Sequence, residues 1–339
     1  MRLIERLWTD DRGPATVVRG LLSPLSTIYR GIVATRGELF DKGVIASHES
    51  PIPVVSIGNV TVGGTGKTPV AAWVAGRLLD LGRKPAIVLR GYGSDEPLVH
   101  RRINPDVPVI VASDRVAGIR DASRHGADVA VLDDGFQHRR ARRDVDLVLV
   151  SADDWNGRHQ LLPAGPYREP IQNIERASAI LITRKAVPAT RVAEVRAAIH
   201  RIAPAVPTVE VSLALSDLRM EGDLLKCRQL ASLRGKRVAA VAAVGNPAAF
   251  FQQLEAAGAT VVRLPFPDHH PFTVNDINSI LSAAALTDDV VCTLKDAVKL
   301  AALWPAGKRP LWYVSLAVDV CNGRSVIDDL LTFPDHRSI

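Results

Sequence analysis

Residues 53–69 read PVVSIGNVTVGGTGKTP: an apolar run that breaks into glycines and resumes behind Lys67 and Thr68. The reading is strand, glycine loop, helix. Gly63, Gly64 and Gly66 let the backbone curl so that successive N–H groups face one point, and the following helix adds its positive end there. Such a cradle takes phosphate. Lys67 reaches the outer phosphates of a nucleotide, and the Thr68 hydroxyl suits Mg²⁺. Thr61, Val62, Gly63, Gly64, Thr65, Gly66, Lys67 and Thr68 are therefore the expected nucleotide-binding residues, with ATP and Mg²⁺ the expected cofactors. The strict pattern places a glycine where this chain has Thr61, so a glycine turn without nucleotide is the competing reading. Partitioning ATPases of the deviant phosphate-loop class carry a lysine at the position of Val62, which argues against that class.

Outward from this loop, strand and helix alternate. Short apolar runs at 86–89, 107–112, 129–132, 147–150, 180–183, 238–244, 261–264, 290–293 and 311–318 read as strands. Helical periodicity falls at 67–81, 115–124, 189–202, 248–257 and 274–285. That order predicts an α/β fold: a phosphate-loop NTPase-like parallel sheet with helices on both faces. Residues 157–170 hold three prolines and two glycines and read as a long ordered loop. The stretch from Leu215 to Gly235 is the least strand-like. The expected organisation is an N-terminal amphipathic helical segment (1–50), a kinase domain (51–220) and a smaller C-terminal α/β domain (221–339).

In the N-terminal segment Leu3, Ile4, Leu7 and Trp8 recur at helical spacing, as do Leu21, Leu22, Leu25, Ile28, Tyr29, Ile32 and Val33, with Arg19, Arg30 and Arg36 between them. One or two amphipathic helices follow, packed either on the protein or on a membrane surface. The opening MRLIERLWTDDRG has charges where a secretory leader has an apolar core, and no apolar run reaches the length of a membrane span. Any membrane contact is expected to be peripheral.

Polar clusters sit at strand ends, where ligands bind in open α/β sheets. VAVLDDGFQHRR puts Asp133 and Asp134 past one strand. They read as Mg²⁺ carboxylates, or as a cap on a following helix. Arg139, Arg140, Arg142 and Arg143 form a basic run that suits phosphate or a solvated face. Asp95 and Glu96 lie in the stretch 91–97, which follows a strand and alone reads more often as a turn than as a catalytic site; a kinase needs a carboxylate near the acceptor hydroxyl to take its proton. FPDHHPF holds Asp268, His269 and His270, and adjacent histidines rarely converge on one metal. Arg168 in LLPAGPYREP suits an anion clamp, and Lys295 and Asp296 lie just past another strand.

Bulk composition narrows the class. The 339 residues are 47% hydrophobic and 23% charged, enough for a sizeable core. The net charge of +6 suits nucleotides, anionic lipids or nucleic acid. Aromatics are only 5% and none interleave with basic runs, so no nucleic-acid partner is expected. Cys227, Cys292 and Cys321 are too far apart for a zinc knuckle and odd in number, so reduced thiols are expected.

TVGGTGKTP, RGYG, DEP, VLDDGFQHRR, LLPAGPYREP, VGNP, FPDHHPF and LKDAVKL occur in an order that resembles the tetraacyldisaccharide 4′-kinases, the lipid A kinases of Gram-negative bacteria. The resemblance runs from the first helices to about Val318. It implies transfer of the ATP γ-phosphate to the 4′-hydroxyl of an acylated glucosamine disaccharide phosphate, at the cytoplasmic face of the inner membrane. It also implies that Asp95 and His269 form a catalytic dyad beside the catalytic Lys67. Thr68, Glu96, Asp133 and Asp134 would surround the metal, and Gln137, His138 and Arg168 would meet the substrate. The chain departs from the family pattern in having only Ser94 between RGYG and its acid pair, and Leu294 where a glutamate is common. Two other functions compete. A phosphate-loop ATPase or GTPase acting as a partner switch would need a switch-loop threonine or a base-reading NKxD, and neither is evident. A non-catalytic nucleotide-binding scaffold would not need the acids and His269.

Overall fold

The computed structural model describes residues 7–8, 13–91 and 95–333. They divide into two compact units. The larger holds 7–8, 13–91, 100–212 and 320–333; the smaller holds 95–99 and 213–319.

In the larger unit β1 (Val54–Asn59), β2 (Pro85–Leu89), β3 (Val109–Val111), β4 (Val129–Asp133), β5 (Val145–Ser151) and β6 (Ala179–Arg184) form a parallel sheet in the order β6-β5-β1-β4-β2-β3. The first residues of β7 (Thr208–Met220) run parallel to β6. Every residue of β1, β2, β4 and β5 is buried, which is why these strands read as largely apolar runs, with few polar residues such as Ser56 and Asp146 inside them. Helix α2 (Lys67–Asp80) packs on β1, β2 and β4. Val54, Ala86, Val88, Ala130 and Leu132 belong to the opposite pleat and pack with Val116 and Ile119 of α4 (Arg115–Arg124). On β5 and β6, Val148, Val150, Ile180 and Ile182 meet Val192, Val195 and Ile199 of α5 (Ala189–Ile202). After β1 the chain builds β2, β3 and β4 on one side and then β5 on the other. β1 is thus the point where the strand order reverses, and its carboxyl end opens the crevice where ligands bind in such sheets. The strand expected at 107–112 is a three-residue edge strand and only partly buried.

The N-terminal segment contains one 28-residue helix, α1 (Pro14–Asp41), with Pro14 in its first turn and Pro24 inside it. Its helical bonds carry it past Pro24, so no second helix begins there. The expectation for Leu3 and Ile4 lies outside the described residues. One face of α1 docks on the larger unit. The Ser26 hydroxyl donates to Leu161 O at 2.9 Å, the Tyr29 hydroxyl to Arg168 O at 3.0 Å, and Arg36 to Gln137 O at 3.3 Å. Phe40 is buried between the guanidinium groups of Arg36 and Arg139. The other face leaves Val17, Leu21, Leu25, Ile28 and Ile32 exposed, each by more than half its surface. No helix among the described residues is long and apolar enough to cross a membrane.

In the smaller unit β9 (Arg237–Ala242), β10 (Thr260–Pro265), β11 (Asp289–Thr293) and β12 (Leu311–Asn322) are parallel, in the order β10-β9-β11-β12. Alternation along β9 divides the core. Val238, Ala240 and Ala242 face Phe250, Phe251 and Leu254 of α6 (Pro247–Ala256). Ala239 and Val241 face Ile277 and Ile280 of α7 (Val274–Ala283) and Ala297 of α8 (Leu294–Leu300). The stretch 215–235 differs from the sequence expectation. The end of β7 and β8 (Asp223–Gln229) form an antiparallel hairpin there, turned at Gly222 with φ +81°. Polar residues interrupt it throughout, Ser216, Asp217 and Arg219 in β7 and Lys226, Arg228 and Gln229 in β8, so no apolar run marks it. A second unexpected element is α3 (Asp95–Ile103), which begins at Asp95.

Candidate active site

The glycine loop has the conformation its residues call for. Gly63 (φ +124°) and Gly66 (φ +95°) take left-handed backbone angles, and Gly66 caps α2, whose first residue is Lys67. Thr61 pairs with Tyr167, and the Val62 N–H donates to Pro166 O at 2.8 Å, so the loop's entry is laced to the 161–169 segment. The exit is fixed by Thr183, whose hydroxyl donates to Thr65 O at 3.0 Å, and by the Lys185 ammonium, which donates to Gly64 O. Burial lowers the Lys185 pKa, while Asp154 and Asp153 pull it the other way.

Asn59, the buried last residue of β1, organises the charges. Its amide donates to the Thr65 hydroxyl at 2.8 Å, and its Oδ1 accepts from Lys67 Nζ at 3.2 Å and from Arg168. Lys67 Nζ also lies 3.6 Å from Asp134 Oδ1. Arg168 forks onto both oxygens of Asp134, at 2.9 and 3.1 Å. Burial alone would raise the Asp134 pKa; Lys67 and Arg168 overrule it and hold it at about 2, so this carboxylate is charged at any physiological pH. Asp134 has a left-handed φ of +58°, a strained angle of the kind concentrated at functional sites. Asp133 is different. It is buried, and one of its oxygens lies 2.9 Å from Nε2 of the fully buried His100 on α3.

Gln137 donates to Asn59 O and to Glu169, both at 2.7 Å. His138 is half-buried. Burial first, and then Arg115, lower its pKa to about 4, so it is a neutral imidazole at pH 7. The turn carrying these residues needs Gly135: a Cβ there would fall 2.6 Å from the Ser56 hydroxyl and 2.8 Å from Leu132 Cβ. Gly58 is equally confined, since its Cβ would meet Phe136 Cβ at 2.4 Å.

The second group of site residues belongs to the smaller unit. Asp95, in the first turn of α3, is 2% exposed, and among the described residues neither carboxylate oxygen has a hydrogen-bond partner. Its Oδ2 lies 3.4 Å from Nδ1 of His269 and 3.7 Å from Nζ of Lys295. A buried carboxylate held only at ion-pair range keeps its lone pairs available for a proton. Glu96 follows on the same turn, in a different unit from Asp133 and Asp134. His270 turns away from His269 to Asp276, 3.1 Å from its nearer oxygen.

Among the described residues no three acids, histidines or cysteines converge as a metal cage. Mg²⁺ in phosphotransferases takes one or two carboxylates with phosphate oxygens and water, so Thr68, Asp133 and Asp134 fit it without such a cage. Sequence reasoning missed Asn59, His100, Thr183 and Lys185. A polar residue closing an apolar strand was the available signal for Asn59, and Lys185 directly follows a strand. His100 had none while 91–97 read as a turn.

A switch-point phosphate loop, a charged acid after β4 and a separate buried carboxylate define a phosphate-loop phosphotransferase. Comparison with known proteins sharpens the class. The tetraacyldisaccharide-1-P 4′-kinase family matches residues 18–96 and 94–333, and the chain belongs to that family. The tetraacyldisaccharide 4′-kinase of Anaeromyxobacter dehalogenans is 37% identical, over 97% of this chain and 94% of its own. That of Halorhodospira halophila is 35% identical over 96% and 95%. The crystal structure of Aquifex aeolicus LpxK in complex with ATP superposes with a TM-score of 0.72 at 26% identity, covering 93% of this chain and all of that one.

Proposed function

We propose that this chain transfers the γ-phosphate of ATP to the 4′-hydroxyl of a tetraacylated glucosamine disaccharide 1-phosphate, giving lipid IV-A. The observation that carries the reading is the array of Lys67, Asp134 and Arg168 gathered around Asn59 beside the phosphate loop, in a chain matching its kinase family over almost its whole length. The backbone N–H groups of 63–67 and the Lys67 ammonium bind the transferring phosphates. Thr68, Asp133 and Asp134 would hold Mg²⁺, which when bound would supply positive charge against the phosphates. Asp95 takes the proton of the sugar hydroxyl, with His269 beside it. Gln137, His138 and Arg168 offer polar contacts to the disaccharide. The direct test is incubation with radiolabelled ATP, Mg²⁺ and a panel of acylated disaccharide phosphates in detergent. Label appearing in the lipid supports the reading. ATP hydrolysis without lipid labelling would favour a switch ATPase, and nucleotide binding without turnover a scaffold.

The exposed stripe of α1 supports peripheral attachment to the cytoplasmic face of the inner membrane. Val17, Leu21, Leu25, Ile28 and Ile32 follow one another at three- or four-residue steps, flanked by the exposed Arg30 and Arg36. An acceptor with four acyl chains resides in such a membrane. Changing Leu21, Leu25 and Ile28 to serine removes apolar surface worth about 1.5 kcal/mol or more per side chain when buried. The variant is expected to leave the pellet when sedimented with anionic liposomes, while keeping its kcat on detergent-dispersed acceptor. Unchanged sedimentation would assign the stripe another partner.

A further inference from the structure

Asp95, His269 and Lys295 come from three elements: the start of α3, the β10–α7 loop and the start of α8. His269 has a left-handed φ of +58°, which a histidine adopts only when its surroundings hold it there. In that pose its two ring nitrogens face different groups. Nδ1 lies 3.4 Å from Asp95 Oδ2, and Nε2 lies 3.1 Å from Lys295 Nζ. The ammonium also lies 3.7 Å from Asp95 Oδ2 and 3.8 Å from Asp268 Oδ1.

An ammonium has donors and no lone pair. The nitrogen it meets must therefore be the ring's acceptor. A proton on Nε2 would set donor against donor. The imidazole then carries its one proton on Nδ1, directed at Asp95, and the hydrogen bond made by one ring nitrogen decides the state of the other. Asp268 follows from the same geometry. It adjoins His269 in sequence, yet its nearest approach to Nε2 is 3.9 Å, and it also lies near the lysine.

We propose that Lys295 is a positioning residue of the phosphotransfer, fixing His269 as the Nδ1–H tautomer so that the ring's proton faces the carboxylate of Asp95. The proposal rests on the reading of Asp95 as the acceptor-side base. No covalent change occurs at Lys295: its ammonium donates to Nε2 before and after transfer.

The test combines kinetics with ¹⁵N spectroscopy of histidine-labelled protein. Lys295→Met keeps the length of the side chain and removes the donor. Its kcat is expected to fall about tenfold or more, with the KM for ATP within about threefold. The His269 ¹⁵N resonances should move from the Nδ1–H pattern towards the alternative tautomer. Lys295→Arg, which keeps a donor, should restore much of both. In a His269→Ala background Lys295→Met should cost only a few-fold more, because the lysine acts through the ring. Unchanged tautomer and kcat in Lys295→Met would overturn the proposal. So would a full loss repeated in the His269→Ala background, or a loss confined to the KM for ATP, since either gives the lysine a direct role. Full activity in Asp95→Asn would instead remove the base reading, while the ¹⁵N pattern would still decide the lysine–imidazole contact.

Discussion

Lys67→Ala is expected to abolish turnover, with kcat/KM falling by roughly two orders of magnitude or more, on the order of 3 kcal/mol of lost transition-state stabilisation. The ammonium sits at the head of α2, between Asn59 Oδ1 and Asp134 Oδ1, where a phosphoryl group held by the glycine loop would meet it. Alanine leaves the glycine conformations and the Asn59–Thr65 contact in place, so the loop should keep its shape. Asp134 retains its fork from Arg168 but loses one of the two cations that depress its pKa. An acid held below its ordinary value of 3.8, at about 2, contributes stability that is in place above pH 3.8 and is lost as pH falls towards 2. The share of that stability that Lys67 supplies should therefore be missing from the variant at neutral pH, and the difference from the parent should shrink as pH falls from 3.8 towards 2. Steady-state kinetics check the first statement and an acid titration by circular dichroism the second. Near-full kinase activity would remove the phosphate-loop assignment.

Asp95→Asn should lower kcat by roughly 10²-fold or more while leaving ATP affinity within a few-fold. The substitution preserves shape and deletes basicity. A sugar hydroxyl is a weak acid, so its proton leaves late, as phosphoryl transfer becomes advanced, and the base must be ready at that moment. The two unbonded, buried oxygens of Asp95 meet that demand. Asp133 and Asp134 are already engaged, by His100 and by Lys67 with Arg168. His269→Ala should act in the same direction, and the double variant should cost less than the product of the two, since residues working on one proton are not additive. Isothermal titration with ATP and single-turnover rates separate binding from chemistry. A normal kcat in Asp95→Asn, or a loss confined to ATP binding, would move the base to Asp133 or Asp134.

Local signals carried much of this in the sequence itself. GGTGKT behind an apolar run gave strand, loop and helix, and the helices at 115–124 and 189–202 have the bounds their periodicity indicated. What stayed hidden was non-local or masked by an atypical residue. The stretch 91–97 read as a turn, yet its Pro97 is tolerated in a helix's first turn, where no intrahelical partner awaits its missing N–H. His100 disappeared from view with that helix. Gly58 and Gly135 matter only because Phe136 and Ser56 pack against them, a contact no spacing rule reveals. Asp95 and His269 are far apart in the chain, and only the resemblance of whole motifs joined them before the fold did.

The stripe of Val17, Leu21, Leu25, Ile28 and Ile32 also bears on how substrate should be counted. A catalyst resting on a lipid sheet by this face searches in two dimensions. Its rate then follows molecules of acceptor per unit area, and the bulk molarity of the suspension drops out. Adding inert detergent at constant acceptor should slow the reaction by spreading acceptor over more surface. Diluting acceptor and detergent together with buffer should leave each surface-bound enzyme working at the same pace. If α1 rests on lipid by this face, a Michaelis constant for the chain is a mole fraction.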